Sequence, residues 1–236
     1  MGKLRHITFT GIDERTDLNA IAELNKELPQ LEFGVLLSLG YAQNGNRYVS
    51  PEFLEELSKY KINYACHLCG KLARQAVLND WGPVLDFCNG HFGIFKRCQL
   101  NVAHNPGNPE KLALTPPSTL EEVIIQQASI DECDLFLNSM PNDELSVLID
   151  GSGGRGIDTE IKPLAGDFKV SYAGGINPDN VQEKIWILAH SSIVSDFCID
   201  MESGVRTDDW FDIEKVKDIV EKTKFYFTHD WKDYKA

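Results

Sequence analysis

Asp150 ends the apolar run Val147, Leu148, Ile149 and is followed by GSGGRG (151–156), so a carboxyl group leaves a hydrophobic strand beside a loop containing four glycines. Such a loop lets a ligand approach the backbone closely. Desolvation at the strand end favours the protonated carboxyl that a general acid needs at neutral pH, and a nearby Arg would oppose it. A second pattern lies downstream in VSYAGGINPDNV (170–181) and DFCIDMESGV (196–205), two hydrophobic strands that end in Gly174 and Gly175 and in Ser203 and Gly204. Strand ends of this kind, each leading into a helix, offer a cradle of backbone N–H groups to a phosphate. Acid–base chemistry on a phosphorylated small molecule is the reading these residues suggest. Two plainer roles stay open: Asp150 as a cap for loop N–H groups, and the glycines as ordinary strand-to-helix turns. Arg206, just beyond, is either a charge-assisted partner of the phosphate or a surface residue.

Other polar residues stand where strands end, the usual place for functional side chains in a parallel barrel: Thr10, Asn101, Gln127, Asp200 and Glu202, joined by Arg47 in the loop 39–49. The CHLC segment (66–69) has the spacing of half a metal knuckle, but no second Cys/His pair with matching spacing follows. In a strand, Cys66 and Cys69 would face opposite sides, so buried thiols acting as small hydrophobes are expected, with no metal and no cofactor. Trp81, Trp186 and Trp210 are expected to be packing residues.

To position these groups the chain supplies eight short apolar stretches, at 6–11, 32–38, 62–69, 97–103, 122–127, 145–151, 169–175 and 196–202. They read as parallel strands buried on both faces. Helix patterns lie at 17–28 with Asp17 as N-cap, at 50–60 with Ser50 capping and Pro51 in the first turn, at 177–190, and at 211–226. In the last, Ile213, Val216, Ile219 and Val220 form one apolar stripe. Irregular connections are expected at 103–119 and 161–167. Eight strand units within 236 residues indicate an α/β fold, a single-domain (β/α)8 TIM barrel over residues 1–236, with an open doubly wound sheet as the alternative.

The net charge of -13, with acids spread along the chain, argues against a nucleic-acid partner. No apolar run approaches the ~20 residues of a bilayer span, and no secretory signal is visible, so a cytoplasmic protein without a membrane partner is expected. Six cysteines without framework spacing fit free thiols in a reducing compartment. Oligomeric state is not readable from these residues.

Taken in order, six segments resemble phosphoribosylanthranilate isomerase, the tryptophan-pathway barrel that opens a phosphorylated ribosylamine by an Amadori rearrangement. FTGI (9–12) is similar to the family's CGI, NRYVSPE (46–52) to its RYVSPE-type segment, and CQLN (98–101) to its QLH. LIDGSGGRG (148–156) is similar to its LLD plus glycine loop, YAGGINPDNV (172–181) to its AGGL-x-P-x-NV, and IDMESGV (199–205) to its VDVSSGV. The resemblance implies that Asp150 protonates the ribose ring oxygen and that Arg47 and Asp200 contact the aromatic end of the substrate. Backbone N–H groups around Gly174, Gly175, Ser203 and Gly204 would then hold the phosphate. Thr10 occupies the position of the family's general base, a cysteine, and an alcohol does not replace a thiolate. Asn101 stands in place of His, Glu202 in place of Ser and Arg206 in place of Glu, and the glycine loop lacks the spacing to the family's FDW. Two functions follow. One is an isomerase with Asp150 as acid and a substitute base among Asp13, Asp200 and Glu202; the other is a diverged barrel that binds a phosphate ester without this rearrangement.

Overall fold

The structure is a computed structural model and describes residues 2–41, 45–102, 114–127, 145–153, 155–164, 169–191 and 196–228. Eight parallel strands close into a barrel in sequence order: β1 (Lys3–Thr10), β2 (Leu31–Leu37), β3 (Tyr64–Leu68), β4 (Phe95–Leu100), β5 (Glu122–Gln127), β6 (Leu145–Asp150), β7 (Val170–Ala173) and β8 (Asp196–Met201). The pairing of β1 with β8, which sets Ile7 beside Ile199 and Thr8 beside Asp200, completes the cylinder and excludes the open sheet.

Side-chain alternation explains the composition of the strands. Phe9, Phe33, Leu37, Leu68 and Ile199 are fully buried on the side facing the helices. The inward residues are mostly polar. At the end of the barrel where the strands begin, Arg97 on β4 donates to Glu32 on β2 at 2.7 Å and to Glu122 on β5 at 3.1 and 3.4 Å. Thr8 donates to Glu32 at 2.9 Å and Ser146 to Glu122 at 2.5 Å, so both carboxylates are held from two sides. Hydrogen-bonded ion pairs thus fill a level of the barrel that branched aliphatic side chains commonly occupy.

The helices start where the sequence signals place them. α1 (Leu18–Glu27) is capped by the Asp17 carboxylate, which accepts from the N–H groups of Asn19 and Ala20 at 3.1 Å, and α2 (Pro51–Leu57) by the Ser50 hydroxyl. Two helices without a clear sequence signal, α3 (Gly70–Val77) and α4 (Gly82–Cys88), fill the connection between β3 and β4. Each begins with glycine, a weak helix former, which hides the start. The 177–190 pattern spends residues 178–180 on a turn before α5 (Val181–His190) begins. The 211–226 pattern resolves into α6 (Ile213–Thr223), capped by Asp212, and a short α7 (Phe225–Thr228). Val216, Ile219 and Val220 of its apolar stripe are buried. Before it, β9 (Arg206–Thr207) and β10 (Trp210–Phe211) form a small antiparallel ribbon that the sequence did not announce.

The expected irregular connections fall partly outside the described residues, at 103–113 and 165–168; residues 114–121 and 161–164 contain no helix or strand. Among the described residues, no helix is long and apolar enough to cross a membrane.

Candidate active site

At the end of the barrel where the strands finish, a cavity of about 420 Å³ opens. Of the residues singled out from the sequence, Thr10, Arg47, Asn101, Asp150, Gly174, Gly175, Asp200, Glu202 and Ser203 line it. Gly204 stands immediately behind, packed so closely on the Ile176 carbonyl that a side chain there would collide with it. Gln127 is fully buried and does not line the cavity; its neighbour Gln126 does.

Ser152 and Gln126 donate to Asp150. Its Oδ1 accepts from the Ser152 N–H at 3.0 Å and from the Ser152 hydroxyl at 2.7 Å, and its Oδ2 accepts from the Gln126 carboxamide at 3.0 Å. It therefore both caps the glycine loop and faces the cavity, combining two roles that the sequence set against each other. A protonated Asp150 needs an acceptor where Gln126 now donates, and the carboxamide supplies one by turning 180° about its terminal bond.

Beside Asp150, β7 and β8 end in turns whose N–H groups, at Gly174, Gly175, Ser203 and Gly204, donate to no acceptor among the described residues. Unspent N–H groups converging on a cavity are what an oxyanion requires. The segment 155–164 packs over the first turn and is pinned by Lys184, which meets Asp158 at 2.7 Å and the Thr159 carbonyl at 2.8 Å. Gly175 has φ +67°, and a side chain there would strike the Asp158 backbone. Gly175→Ala is thus expected to displace the turn. Loss of one charge-assisted hydrogen bond costs about 1.5–3 kcal/mol. Binding of inorganic phosphate, measured by titration calorimetry, should then weaken roughly 10- to 150-fold, with a loss of thermal stability from the positive φ and the backbone collision.

Where β8 meets β1, the Thr10 hydroxyl donates to Asp200 Oδ1 at 2.6 Å. Burial pushes Asp200 up to about 7; Glu202, Glu32 and Asp150 add to the rise and the Thr10 bond opposes it. Arg47 donates to Glu202 at 2.9 Å and to Asp209 at 2.8 Å, so its charge is already matched by two carboxylates. Burial raises Glu202, with Arg47 and Arg206 opposing.

Residues missed from the sequence complete the wall. His67 lines the cavity, and burial followed by the charge of Arg97 pushes it down to about 3, so it is a neutral imidazole. Cys69, expected to pack as a small hydrophobe, instead lines the cavity and accepts from the Asn101 carboxamide at 3.1 Å; burial pushes this thiol up to about 12. Cys66 behaves as expected, fully buried on the other face of the strand. The alternation visible at Asp150 could have found Gln99 and Gln126, since each precedes a strand's last turn on the inward face. Among the described residues, no group of three or more His, Cys, Asp or Glu side chains is placed to hold a metal ion.

Arg206 and Asp13 take structural places instead. The Arg206 guanidinium is buried and donates to the carbonyls of Gly11 at 2.5 Å and Asp209 at 2.6 Å and to Asp13 Oδ2 at 3.3 Å. Arg206 is thus neither a phosphate partner nor a surface residue. Of the tryptophans, Trp81 is buried, Trp186 stacks on His190 and Trp210 lies under Arg15.

No family model matches the chain. The N-(5'-phosphoribosyl)anthranilate isomerase of Thermoanaerobacter sp. (strain X514) is 32% identical over 89 residues, 37% of this chain and 41% of that protein. The enzyme of the same name from Acetivibrio thermocellus is 33% identical over 85 residues, 34% of this chain and 36% of its own length. The aligned stretches thus span less than half of these relatives. The structure of N-(5'-phosphoribosyl)anthranilate isomerase from Pyrococcus furiosus superposes with a TM-score of 0.56 over 93% of this chain and 98% of that one, at 16% identity, a likeness of fold. With its closed eight-stranded barrel and these stretches of shared sequence, the chain is related to the phosphoribosylanthranilate isomerase family.

Proposed function

We propose that this barrel is an isomerase of a phosphorylated ribose-type substrate, performing an Amadori-type rearrangement with Asp150 as general acid. One observation carries the reading: unspent N–H groups at Gly174, Gly175 and Ser203 share one cavity with the buried carboxyl group of Asp150. The phosphate anchors one end of the sugar at β7 and β8, and the ring oxygen then comes within reach of β6. Asp150 gives that oxygen a proton as the C1–O bond breaks, leaving the nitrogen substituent double-bonded to C1. Loss of the C2 proton and return of a proton to C1 complete the change from aminoaldose to aminoketose. The 2-hydroxyl proton goes back to Asp150, so no net proton is consumed.

Thr10, at the place of the family's catalytic cysteine, supports a second reading in which the barrel binds a phosphate ester but leaves it unchanged. Turnover of phosphoribosylanthranilate by the purified protein, followed by loss of the substrate's fluorescence and by product chromatography, separates the two. The isomerase reading expects wild-type turnover inhibited by inorganic phosphate. Binding without turnover, together with activity gained in Thr10→Cys, favours the second.

A further inference from the structure

The rearrangement proposed above needs a group to remove the proton from C2, and we infer that Asp200 is this base, with Thr10 as its positioning residue. The inference rests on the isomerase reading and adds the atom that accepts the proton.

Three carboxylates compete for the role, and their surroundings separate them. Asp13 lies outside the cavity lining, with Oδ2 accepting from the Phe211 N–H at 2.7 Å and from Arg206, and Oδ1 accepting from the Arg15 N–H at 3.0 Å. It has no path to a substrate. Glu202 lines the cavity but accepts from the Arg47 guanidinium, so taking up a proton there would break an ion pair. Asp200 lines the cavity and is buried, and among the described residues its hydrogen-bond partner is a neutral hydroxyl.

Register places it well. Asp150 pairs with Ala173 on β7, and the preceding residue, Tyr172, pairs with Ile199 on β8, so Asp150 and Asp200 stand at one level of the barrel with Ala173 between them. Two strand spacings separate their backbones by roughly 10 Å. The small side chain at Ala173 leaves that level open to the cavity. A sugar anchored by its phosphate above β7 and β8 then presents its ring oxygen to one carboxyl and its C2 to the other.

The Thr10 hydroxyl fixes Asp200 by donating to Oδ1 and leaves Oδ2 to take the proton. Gly34 makes room for this pair, because a side chain there would collide with the Thr10 hydroxyl and come within 3.0 Å of His67 Nε2. As the C2–H bond breaks, its electron pair forms the C1–C2 double bond and the C1–N π pair returns to nitrogen. Asp200 next returns the proton to C1.

Around Asp200 inside the barrel stand Glu202 just past the end of β8, Glu32 on β2, Asp150 on β6, Arg97 on β4 paired to Glu32, and neutral His67 on β3. The carboxylates raise its affinity for a proton, and the Thr10 bond lowers it. A base works ionised, so kcat/KM for phosphoribosylanthranilate should rise with pH through a midpoint near 7.

The experiment measures kcat/KM against pH for wild type, Asp200→Asn, Thr10→Val and Thr10→Ser, with ribose 5-phosphate affinity recorded for each. Asp200→Asn is expected to lose about 10²- to 10⁴-fold and the pH limb while keeping ribose 5-phosphate binding, which also shows that the variant folds. Thr10→Val should move the midpoint upward, because a bond that lowers it is gone, and Thr10→Ser should restore it. An active wild type with Asp200→Asn equally active, or with the limb unmoved in both Asp200→Asn and Thr10→Val, overturns the assignment alone. An inactive wild type overturns the isomerase reading and this assignment together.

Discussion

Asp150→Asn is expected to lower kcat for phosphoribosylanthranilate by about 10²- to 10⁴-fold, the usual contribution of a positioned acid, while leaving phosphate-ester affinity within a factor of a few. The hydrogen bonds around the carboxyl make this substitution a clean one. Asparagine keeps an oxygen for the Ser152 N–H and hydroxyl, and its NH₂ group takes the place of Oδ2. Gln126, which now donates to Oδ2 at 3.0 Å, can turn its carbonyl toward that NH₂. The same rotation would accommodate a protonated Asp150 in the wild type. The variant therefore resembles the acid form in shape and hydrogen bonding but has no proton to give, so a rate loss reports chemistry and not collapse of the loop. Steady-state kinetics with calorimetric binding of ribose 5-phosphate checks it. Wild-type turnover that survives in Asp150→Asn would place the acid elsewhere.

The asymmetry between this variant and Gly175→Ala is informative because the two act on different groups of one cavity, the carboxyl at the end of β6 and the turn that follows β7. If phosphate binds at the turn as proposed, Gly175→Ala should show in affinity, whereas Asp150→Asn should show in kcat. Loss of both kcat and affinity in each variant would instead mean that the cavity forms only as a unit.

The barrel and the cradle were legible in the sequence for one reason: they depend on short-range patterns. Apolar strands of four to eight residues, a glycine pair after β7 and a Ser-Gly pair after β8 can each be seen within a dozen residues. Where α1 and α2 begin was equally local, since Asp17 and Ser50 cap the helices they immediately precede. What escaped depends on closure of the chain. Arg206 reaches Gly11 and Asp13 across more than 190 residues, and only the meeting of β8 with β1 makes it a buried clamp. Arg206 follows SG in the sequence, and its proximity to the cradle there suggested an anion partner. Its guanidinium instead ties the end of β1 to the β9–β10 turn through Gly11 and Asp209.

The Thr10–Asp200 bond escaped in the same way. Each residue could be listed as a strand end, and a closed barrel makes the first and last strands neighbours, but nothing local gives the register that brings the Thr10 hydroxyl to Asp200. His67 and Cys69 were visible only as part of CHLC, a motif whose metal reading drew attention from the simpler question of which residues point inward. Once the register of β3 is set beside that of β4, with His67 paired to Gln99, they belong to the cavity wall.

The other large effect expected lies below the cavity. Arg97→Leu should destabilise the protein by about 3–5 kcal/mol, because it strips the counter-charge from two carboxylates that the barrel keeps from water. The Arg97 side chain is 7% exposed, with Glu32 at 6% and Glu122 at 12%, so water cannot take over the role of the guanidinium. For a chain of this size the loss corresponds to a fall in Tm of roughly 6–20 °C. Its pH dependence identifies the cause. Burial works against the Glu122 carboxylate, but Arg97 and the Ser146 hydroxyl outweigh it and hold Glu122 below its ordinary value. A carboxyl lowered by folding stabilises the protein above its unfolded value, near 4.5, and that contribution is lost as pH falls through the folded value. Without Arg97 only burial and the Ser146 bond remain in quantity, so the variant should be most handicapped at neutral pH and approach the wild type as pH falls through the lowered folded value of Glu122, below which it is protonated in both. Denaturant titrations at several pH values measure this difference. Adding Glu32→Gln and Glu122→Gln to Arg97→Leu removes the stranded charges and should recover much of the loss at neutral pH. A triple variant no more stable than Arg97→Leu would show that the guanidinium stabilises by packing and not by charge.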